Sequence, residues 1–464
     1  MDKKSGLYAI FDQLSVVAIC LFALECVLGC SGQWLSFGPI SIRMVLFAIC
    51  FVLTLPNVFR NLKELLRTHH VIWAVLLGIY LVIAAVIGWR NGNSLSFIKA
   101  DLTGHMSFAL LPGILATFCT RERVAKLMNV VFWGSVVLGA ITVILHFYFA
   151  FARVSQIMVL NDWLNDHYMG GLATMATGIQ RTYFRSHIFL QVGLLIGLQK
   201  VWCKTGRDRW FLFGAEAILA YGCLMTYTRG FWLGLAISAI CLLALYPQQW
   251  KRYLSGVGFI ALLLAVLFTL SGLAYGKPVA AVEVVNRFNP NLFTNAIFLP
   301  NDDTLDGTDG TEETDPTDSD ADQLAVQIRQ ESLRLLGEKI SQKPIFGNGL
   351  GTNLDEIRDD GKVEYMYYDV IMKTGLVGFL IFCGAFFLPI GGMLKRRTKW
   401  LVQKKEIPWD SQEMQNTTLL AAFLGVAITS YLNPFLSNPM GILLVMLLSA
   451  ANQSENISFK EKET

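Results

Sequence analysis

Apolar residues gather in long runs joined by short charged connectors, and in one place that rhythm stops. Runs lie near 7–29, 38–59, 71–88, 106–119, 127–150, 186–202, 210–227, 231–246, 254–275, 366–394, 417–432 and 439–452. Most approach the ~20 residues that a helix needs to cross ~30 Å of hydrocarbon, which predicts an all-α polytopic membrane protein with about twelve transmembrane helices. The run at 106–119 is short, so its polar flank from Lys99 to His105 is expected to extend the same helix. From Gly276 to Glu364, roughly ninety residues interrupt the series, which predicts one large external loop holding short helices.

Basic residues decide which connectors share a side. Arg60, Lys63 and Arg67; Arg121, Arg123 and Lys126; Lys204, Arg207 and Arg209; Lys251 and Arg252; and Lys395, Arg396, Arg397, Lys399, Lys404 and Lys405 fall in alternate connectors. The positive-inside rule assigns these to the cytoplasm, so both termini are expected there. Residues 89–105, 151–185, the Thr228-Arg229-Gly230 corner and the long segment then face outward together. The expected division is transmembrane helices at 1–275, an extracytoplasmic loop domain at 276–365, and C-terminal transmembrane helices with a cytoplasmic tail at 366–464.

Within the loop domain, 302–322 is an acidic tract rich in Asp, Thr and Gly that buries too little apolar surface to offset ordering entropy, and it is expected to be disordered. From 321 to 341 the positions Leu324, Ile328, Leu335, Leu336 and Ile340 recur at helical spacing. Pro344 with Gly347, Gly349 and Gly351 ends that helix in a tight turn, which either stops the helix or lets backbone approach a sugar.

Composition narrows the class. With 54% hydrophobic and 16% charged residues the chain cannot wet the surface of a soluble globule. The net charge of +3 is dealt out to the ends of apolar runs, so no nucleic-acid partner is expected. The nine cysteines lie in or beside apolar runs without a Cys-x-x-Cys pair, which argues against disulfides and zinc. His146, His167 and His187 have no metal-ligand spacing, so no metal site is expected. The first run is too long for the apolar core of a cleavable signal peptide.

Candidate chemistry falls on the outward face. Arg181, Arg185 and Arg229 stand at apolar boundaries, where a cation needs a partner or a task. A guanidinium stays charged and matches phosphate oxygens two at a time, so these residues suit a diphosphate; snorkelling or a structural ion pair is the plainer alternative. Arg329 and Arg334 share a predicted helix with Glu331 and Glu338, and charge pairing on a solvated face accounts for both without function. Glu364 stands where the chain returns to the bilayer beside Tyr365, Tyr367 and Tyr368, a place where partial desolvation makes a carboxylate a useful base; a helix N-terminal charge partner is the alternative. Trp163, Tyr168, Tyr183, Phe184, Trp232 and Tyr365 can stack on sugars or form an interfacial belt.

Three stretches resemble the O-antigen ligase and polysaccharide polymerase superfamily. Thr226-Tyr227-Thr228-Arg229-Gly230-Phe231-Trp232-Leu233-Gly234 is similar to its Ser/Thr-Arg-Gly-x-Trp-x-Gly stretch. Arg329 with Pro344-Ile345-Phe346-Gly347-Asn348-Gly349-Leu350-Gly351 is similar to the loop-helix arginine and the Pro-x-x-Gly-x-Gly turn after it. Glu364 to Gly378 resembles the return helix that ends in Gly-Leu-x-Gly. The ligase branch carries a histidine at the loop exit where this chain has Glu364 and Tyr365, which shifts the resemblance toward repeat-unit polymerases.

The resemblance implies a bacterial cytoplasmic-membrane glycosyltransferase that joins polyprenyl-diphosphate-linked oligosaccharides on the outer face. It implies Arg229 as the diphosphate-binding arginine, Arg329 as the loop-helix arginine and Arg181 or Arg185 as a further one; the reading of the residues adds Glu364 as catalytic base and Tyr365 and Trp232 on the substrate. No cofactor is expected; membrane lipid and a chain-length regulator are the other expected partners. A ligase acting on finished polymer is the alternative within the class. A lipid-linked sugar flippase is the alternative outside it, for which Asp12, Glu25 and Glu216 are the charges within apolar runs.

Overall fold

The computed structural model describes residues 3–38, 40–175, 177–288, 318–354, 363–403 and 407–463. Helices dominate it: α1 Lys3–Leu28, α2 Ile42–Arg60, α3 Leu62–Leu65, α4 His69–Arg90, α5 Leu95–His105, α6 Leu111–Thr117, α7 Arg121–Phe149, α8 Val154–Asp166 and α9 Ile188–Val201. They continue as α10 Gly206–Met225, α11 Arg229–Leu245, α12 Trp250–Tyr275, α13 Val279–Phe288, α14 Asp318–Gln342, α15 Met366–Val402, α16 Gln412–Thr429 and α17 Pro439–Glu463. Every apolar run falls on helix. Among the described residues, six helices are long and apolar enough to cross a membrane: Tyr8–Leu28, Ile42–Arg60, His69–Arg90, Arg121–Phe149, Pro247–Tyr275 and Met366–Val402. Ile188–Val201 and Arg229–Leu245 are shorter apolar helices.

The run at 106–119 and its polar flank form three consecutive pieces rather than one helix, with a 3-10 turn at Met106–Leu110 between α5 and α6. Pro112, in the first turn of α6, supplies a reason: lacking an N–H it cannot continue an existing ladder but can begin a new one. Two antiparallel hairpins were not expected. The first pairs β1 Ser36–Phe37 with β2 Ile40–Ser41, and the second pairs β3 Gly170–Thr174 with β4 Gln180–Phe184. Of the acidic tract, residues up to 317 lie outside the described residues, whereas its last residues already belong to α14.

Basic connectors are tied together at one end of the bundle. Arg123 donates to Asp12 at 2.9 Å, Arg121 pairs with Glu413 at 2.8 Å, Arg252 lies over the Trp409 ring at 5.6 Å, and Arg396 pairs with Glu455 at 3.0 Å. Of the three carboxylates within apolar runs, Asp12 is thus held by an arginine, and Glu25 is paired with Arg43 at 2.6 Å. Glu216 is buried with neither oxygen hydrogen-bonded among the described residues.

At the opposite end, a break in α15 receives the glycine turn. Gly375 has φ 66° and ψ −176° inside α15, which interrupts the helical ladder there. The Asn348 and Gly349 N–H groups donate to the Met372 and Lys373 carbonyls, both at 2.9 Å. In return the Leu376 and Val377 N–H groups donate to the Pro344 and Ile345 carbonyls at 2.8 and 3.1 Å. The far side of the turn meets α4, where the Leu350 N–H donates to the Ala84 carbonyl at 2.9 Å and Asn93 holds the Leu350 carbonyl at 2.8 Å. Backbone groups that a helix break would leave unpaired are therefore satisfied by the turn. Of the two readings of this turn, the structure shows packing against protein, with no face of the backbone held open for a sugar along this contact.

The inserted turn demands glycine. Gly349 has φ 90°, and a Cβ there would lie 2.1 Å from the Gly88 nitrogen. Gly349→Ala is expected to cost roughly 2–5 kcal/mol, from a left-handed penalty of ~1–2 and an overpacking cost of ~1–3. The check is the thermal midpoint of the detergent-solubilised protein. Gly337→Ala on α14, where a Cβ would meet nothing within 4 Å, is the control expected to leave that midpoint unchanged or slightly raised.

Candidate functional site

The β3–β4 hairpin sets out its residues with the two-residue period of a strand. Thr182 and Phe184 are buried beneath it, while Arg181, Tyr183 and Arg185 alternate with them and are only partly covered. Arg185 lies over the Tyr168 ring at 5.7 Å, and Arg181 lies over Tyr183 at 5.9 Å. An Arg181 Nη donates to the Thr228 hydroxyl at 2.8 Å, which brings this guanidinium to the residue before Arg229. The Arg181 Nε is buried with no hydrogen-bond partner among the described residues. Burial, and then the neighbouring Arg287 on α13, push Arg181 below the ordinary arginine value. Arg287 is itself paired with buried Glu283 at 3.2 Å.

Arg229 is the first residue of α11 and is exposed, with no hydrogen bond or ion pair among the described residues. Its neighbour Gly230 packs on the turn after α16: the Thr429 hydroxyl donates to the Gly230 carbonyl at 3.2 Å, and Leu432 and Asn433 lie within 4 Å of the Gly230 Cβ direction. Tyr431, in that same turn, meets Tyr365 and Tyr368 edge-on at 5.7 and 6.2 Å between centroids. Glu364 directly precedes Tyr365. Arg229 and Glu364 thus each precede a residue that packs on the turn after α16.

Tyr183 is raised above the usual phenol range, chiefly by burial; Arg185 and Arg181 pull it down, whereas Cys30 and Glu364 push it up. Glu364 accepts from Arg329 Nε at 3.2 Å, and its side chain is 31% exposed. The carboxylate thus sits in an ion pair at the rim rather than in an apolar pocket. Arg334, in contrast, is paired on the helix surface with both Glu331 and Glu338, as the solvated-face reading expected.

Both aromatic candidates are packed. Trp232 is buried, donates its Nε1–H to the Cys223 carbonyl at 3.2 Å and stacks on Phe288 at 4.9 Å, so one ring face is already occupied. Tyr365 is buried in a small core with Leu335, Leu336, Leu354, Val363 and Met372 that seats α14 against the start of α15. That core is what places Arg329 beside Glu364.

Sequence reasoning passed over two features. Tyr227 and Tyr365 have φ 48° and 66°, left-handed values rare for aromatic residues, and each flanks a candidate side chain. Nothing in their type announces this. The second is a buried charge cluster, Lys373 with Asp101 at 2.9 Å and Asp369 at 3.0 Å, and Asp101 also accepts from the Gly351 N–H at 2.8 Å. A lysine two residues before Gly375, inside an apolar run, was the available signal.

Residues 214–383 match the family described as O-antigen ligase. The chain carries an O-antigen ligase family domain. All three resembling stretches lie inside the matched region, while Arg181 and Arg185 lie before it. Members of this family are membrane enzymes of glycan assembly, and the all-helical architecture of this chain agrees with that. No curated protein matches the chain.

The Arg329–Glu364 pair is largely exposed on the arginine side, and such pairs contribute no more than ~1 kcal/mol. Arg329→Ala is accordingly expected to leave the thermal midpoint of the solubilised protein within one or two degrees of wild type, as a melting curve would show.

Proposed function

We propose that the chain polymerises oligosaccharide repeat units carried on polyprenyl diphosphate, at the outer face of a bacterial cytoplasmic membrane. The observation that carries this is the crowding of cations at the rim: Arg181, half-buried with an Nε that has no partner among the described residues, lies beside Arg287 and hydrogen-bonds Thr228, the residue before Arg229, which has no hydrogen bond or ion pair among the described residues. Glu283 offsets one of these charges, and an anion would offset the others. With the basic connectors in the cytoplasm, as the positive-inside rule has it, this rim opens outward and both termini stay inside. A chain-length regulator would act from the same side.

In the proposed reaction an acceptor hydroxyl on one lipid-linked unit attacks the anomeric carbon of another. The new C–O bond forms as the bond to diphosphate breaks. Glu364 takes the hydroxyl proton, and Arg229 with Arg181 or Arg185 holds the charge that develops on the departing diphosphate. Arg329 first has to give up Glu364, and a substrate phosphate or sugar would draw it away. The arginines supply the fixed positive charge that this leaving group requires, so the reading calls for no cofactor.

Replacing Glu364 by Gln or Arg229 by Ala is expected to abolish long polymer while membrane levels of the protein hold; loss of a general base alone slows such steps by ~10²–10⁴-fold. Arg229→Lys should fail too, because a point charge does not reproduce the two-pronged contact. Polymer of normal length from both Glu364→Gln and Arg229→Ala would overturn the site. Deletion should leave single repeat units on lipid; full-length unattached polymer would instead mark a ligase, and substrate held on the inner leaflet a flippase.

A further inference from the structure

The turn after α16 touches the neighbours of both candidate catalytic side chains, and the sequence did not single it out. Its backbone is tied down locally. The Tyr431 N–H donates to the Ile428 carbonyl at 3.0 Å, the Leu432 N–H to that of Thr429 at 3.3 Å, and the Phe435 N–H to that of Asn433 at 2.8 Å. Phe435 is buried with its ring 5.5 Å from that of Phe231 on α11, and the Thr429 hydroxyl reaches the Gly230 carbonyl. One side of the turn is thereby fixed to the Arg229 corner. On the other side Tyr431 meets Tyr365 and Tyr368, which follow Glu364.

What this turn offers is aromatic surface. Tyr431 is 41% exposed and Tyr368 37%. Their contacts with each other and with Tyr365 are edge-on, at interplanar angles of 69° to 87°, so among the described residues no ring lies flat on either of them. The aromatic residues expected to stack on sugars are otherwise engaged. Phe184, Trp232 and Tyr365 are buried, Trp163 stacks on His167 at 4.7 Å, and the rings of Tyr168 and Tyr183 each carry an arginine. Asn433 adds a polar group beside the exposed rings. Its Nδ2 lies 3.9 Å from where a Cβ of residue 230 would stand, and its side chain makes no hydrogen bond among the described residues.

A sugar ring presents C–H groups on a face and hydroxyls around its edge. The C–H face complements the electron-rich face of an aromatic ring, and a carboxamide both donates to and accepts from hydroxyls. A tyrosine that merely belongs to an interfacial belt needs neither an anchored turn nor an unengaged amide beside it. Held in place beforehand, such a pair loses little freedom when it engages a ligand.

We propose that Tyr431, with Tyr368 beside it, and Asn433 form the subsite for the sugar ring joined to diphosphate: the tyrosine stacks on the C–H face and the amide holds the hydroxyl edge. The location follows from the reaction, because the anomeric carbon of that ring has to lie between the departing diphosphate, at Arg229, and the base, at Glu364. The assignment rests on the lipid-diphosphate reaction proposed above and adds to it residues that recognise sugar rather than charge.

The test is the thermal midpoint of the full chain in detergent, read with two probes. One is undecaprenyl diphosphate without sugar, and the other is the lipid-linked saccharide that accumulates in cells lacking the protein. Both are expected to raise the wild-type midpoint, the saccharide by a few degrees more. Tyr431→Leu keeps apolar bulk and removes the ring. It and Asn433→Ala should respond to undecaprenyl diphosphate as wild type does and lose the increment due to sugar, with affinity for the saccharide down about three- to tenfold. Tyr431→Phe should restore the increment, whereas Arg229→Ala should respond to neither probe. Tyr431 is exposed and Asn433 half-buried, so these variants should fold, and their starting midpoints report whether they do. If Tyr431→Leu does not fold, Asn433→Ala decides in the same way. A folded Tyr431→Leu or Asn433→Ala variant that retains the full sugar increment would overturn the subsite and leave the reaction at the rim intact. So would a wild-type response to undecaprenyl diphosphate with no increment for sugar. Absence of any wild-type response to either probe would overturn the reaction, and the subsite with it.

Discussion

The geometry of the rim depends on an exchange of four backbone hydrogen bonds between the glycine turn and the break in α15. A helix interrupted inside a hydrophobic bundle exposes donors and acceptors that no lipid can satisfy. Here the Pro344–Gly351 turn completes the ladder with its own N–H and carbonyl groups. The same contact fixes the C-terminal end of α14 against the N-terminal part of α15, and the small core around Leu336 and Tyr365 does the rest. Arg329 and Glu364 come from opposite sides of a long connection, yet they face each other because that clamp leaves them little choice.

The two ends of the bundle differ in how they treat charge. At the basic end four arginines meet a carboxylate: Arg123 with Asp12, Arg121 with Glu413, Arg396 and Arg397 with Glu455. At the other end, among the described residues, Arg229 has no hydrogen-bond or ion-pair partner and Arg181 has a hydroxyl and a ring. Left-handed backbone is placed in the same lopsided way, since Cys30, Tyr168, Tyr227 and Tyr365 all lie toward the rim. Strain and unbalanced charge in one place are costs that a purely structural surface has no reason to bear.

Much of this was legible in the chain. Apolar runs located the six helices long and apolar enough to cross a membrane among the described residues, because lipid leaves the backbone no alternative, and the helix at 321–341 followed from the spacing of Leu335, Leu336 and their neighbours. The hairpin carrying Arg181 and Arg185 was missed because Arg181-Thr182-Tyr183-Phe184-Arg185 alternates in burial but not in residue type, and five residues were too few to stand out among helices. The role of the glycine turn was ambiguous because a helix stop, an open cradle and an inserted turn all require the same residue. Only tertiary contact with Gly88 and Gly375 separates them. For Glu364, local sequence pointed to the aromatic return helix, whereas its observed partner Arg329 lies on α14, before the glycine turn.

The clamp also orders assembly in time. α4 is made early, and its Ala84 carbonyl waits for the Leu350 N–H, while the carbonyls of Met372 and Lys373 and the N–H groups of Leu376 and Val377 do not exist until the chain has grown past residue 377. The loop therefore has no seat during most of synthesis. Docking is a late, long-range step, so the rim closes only after membrane insertion of the surrounding helices is nearly complete, and half-made chains carry no finished site.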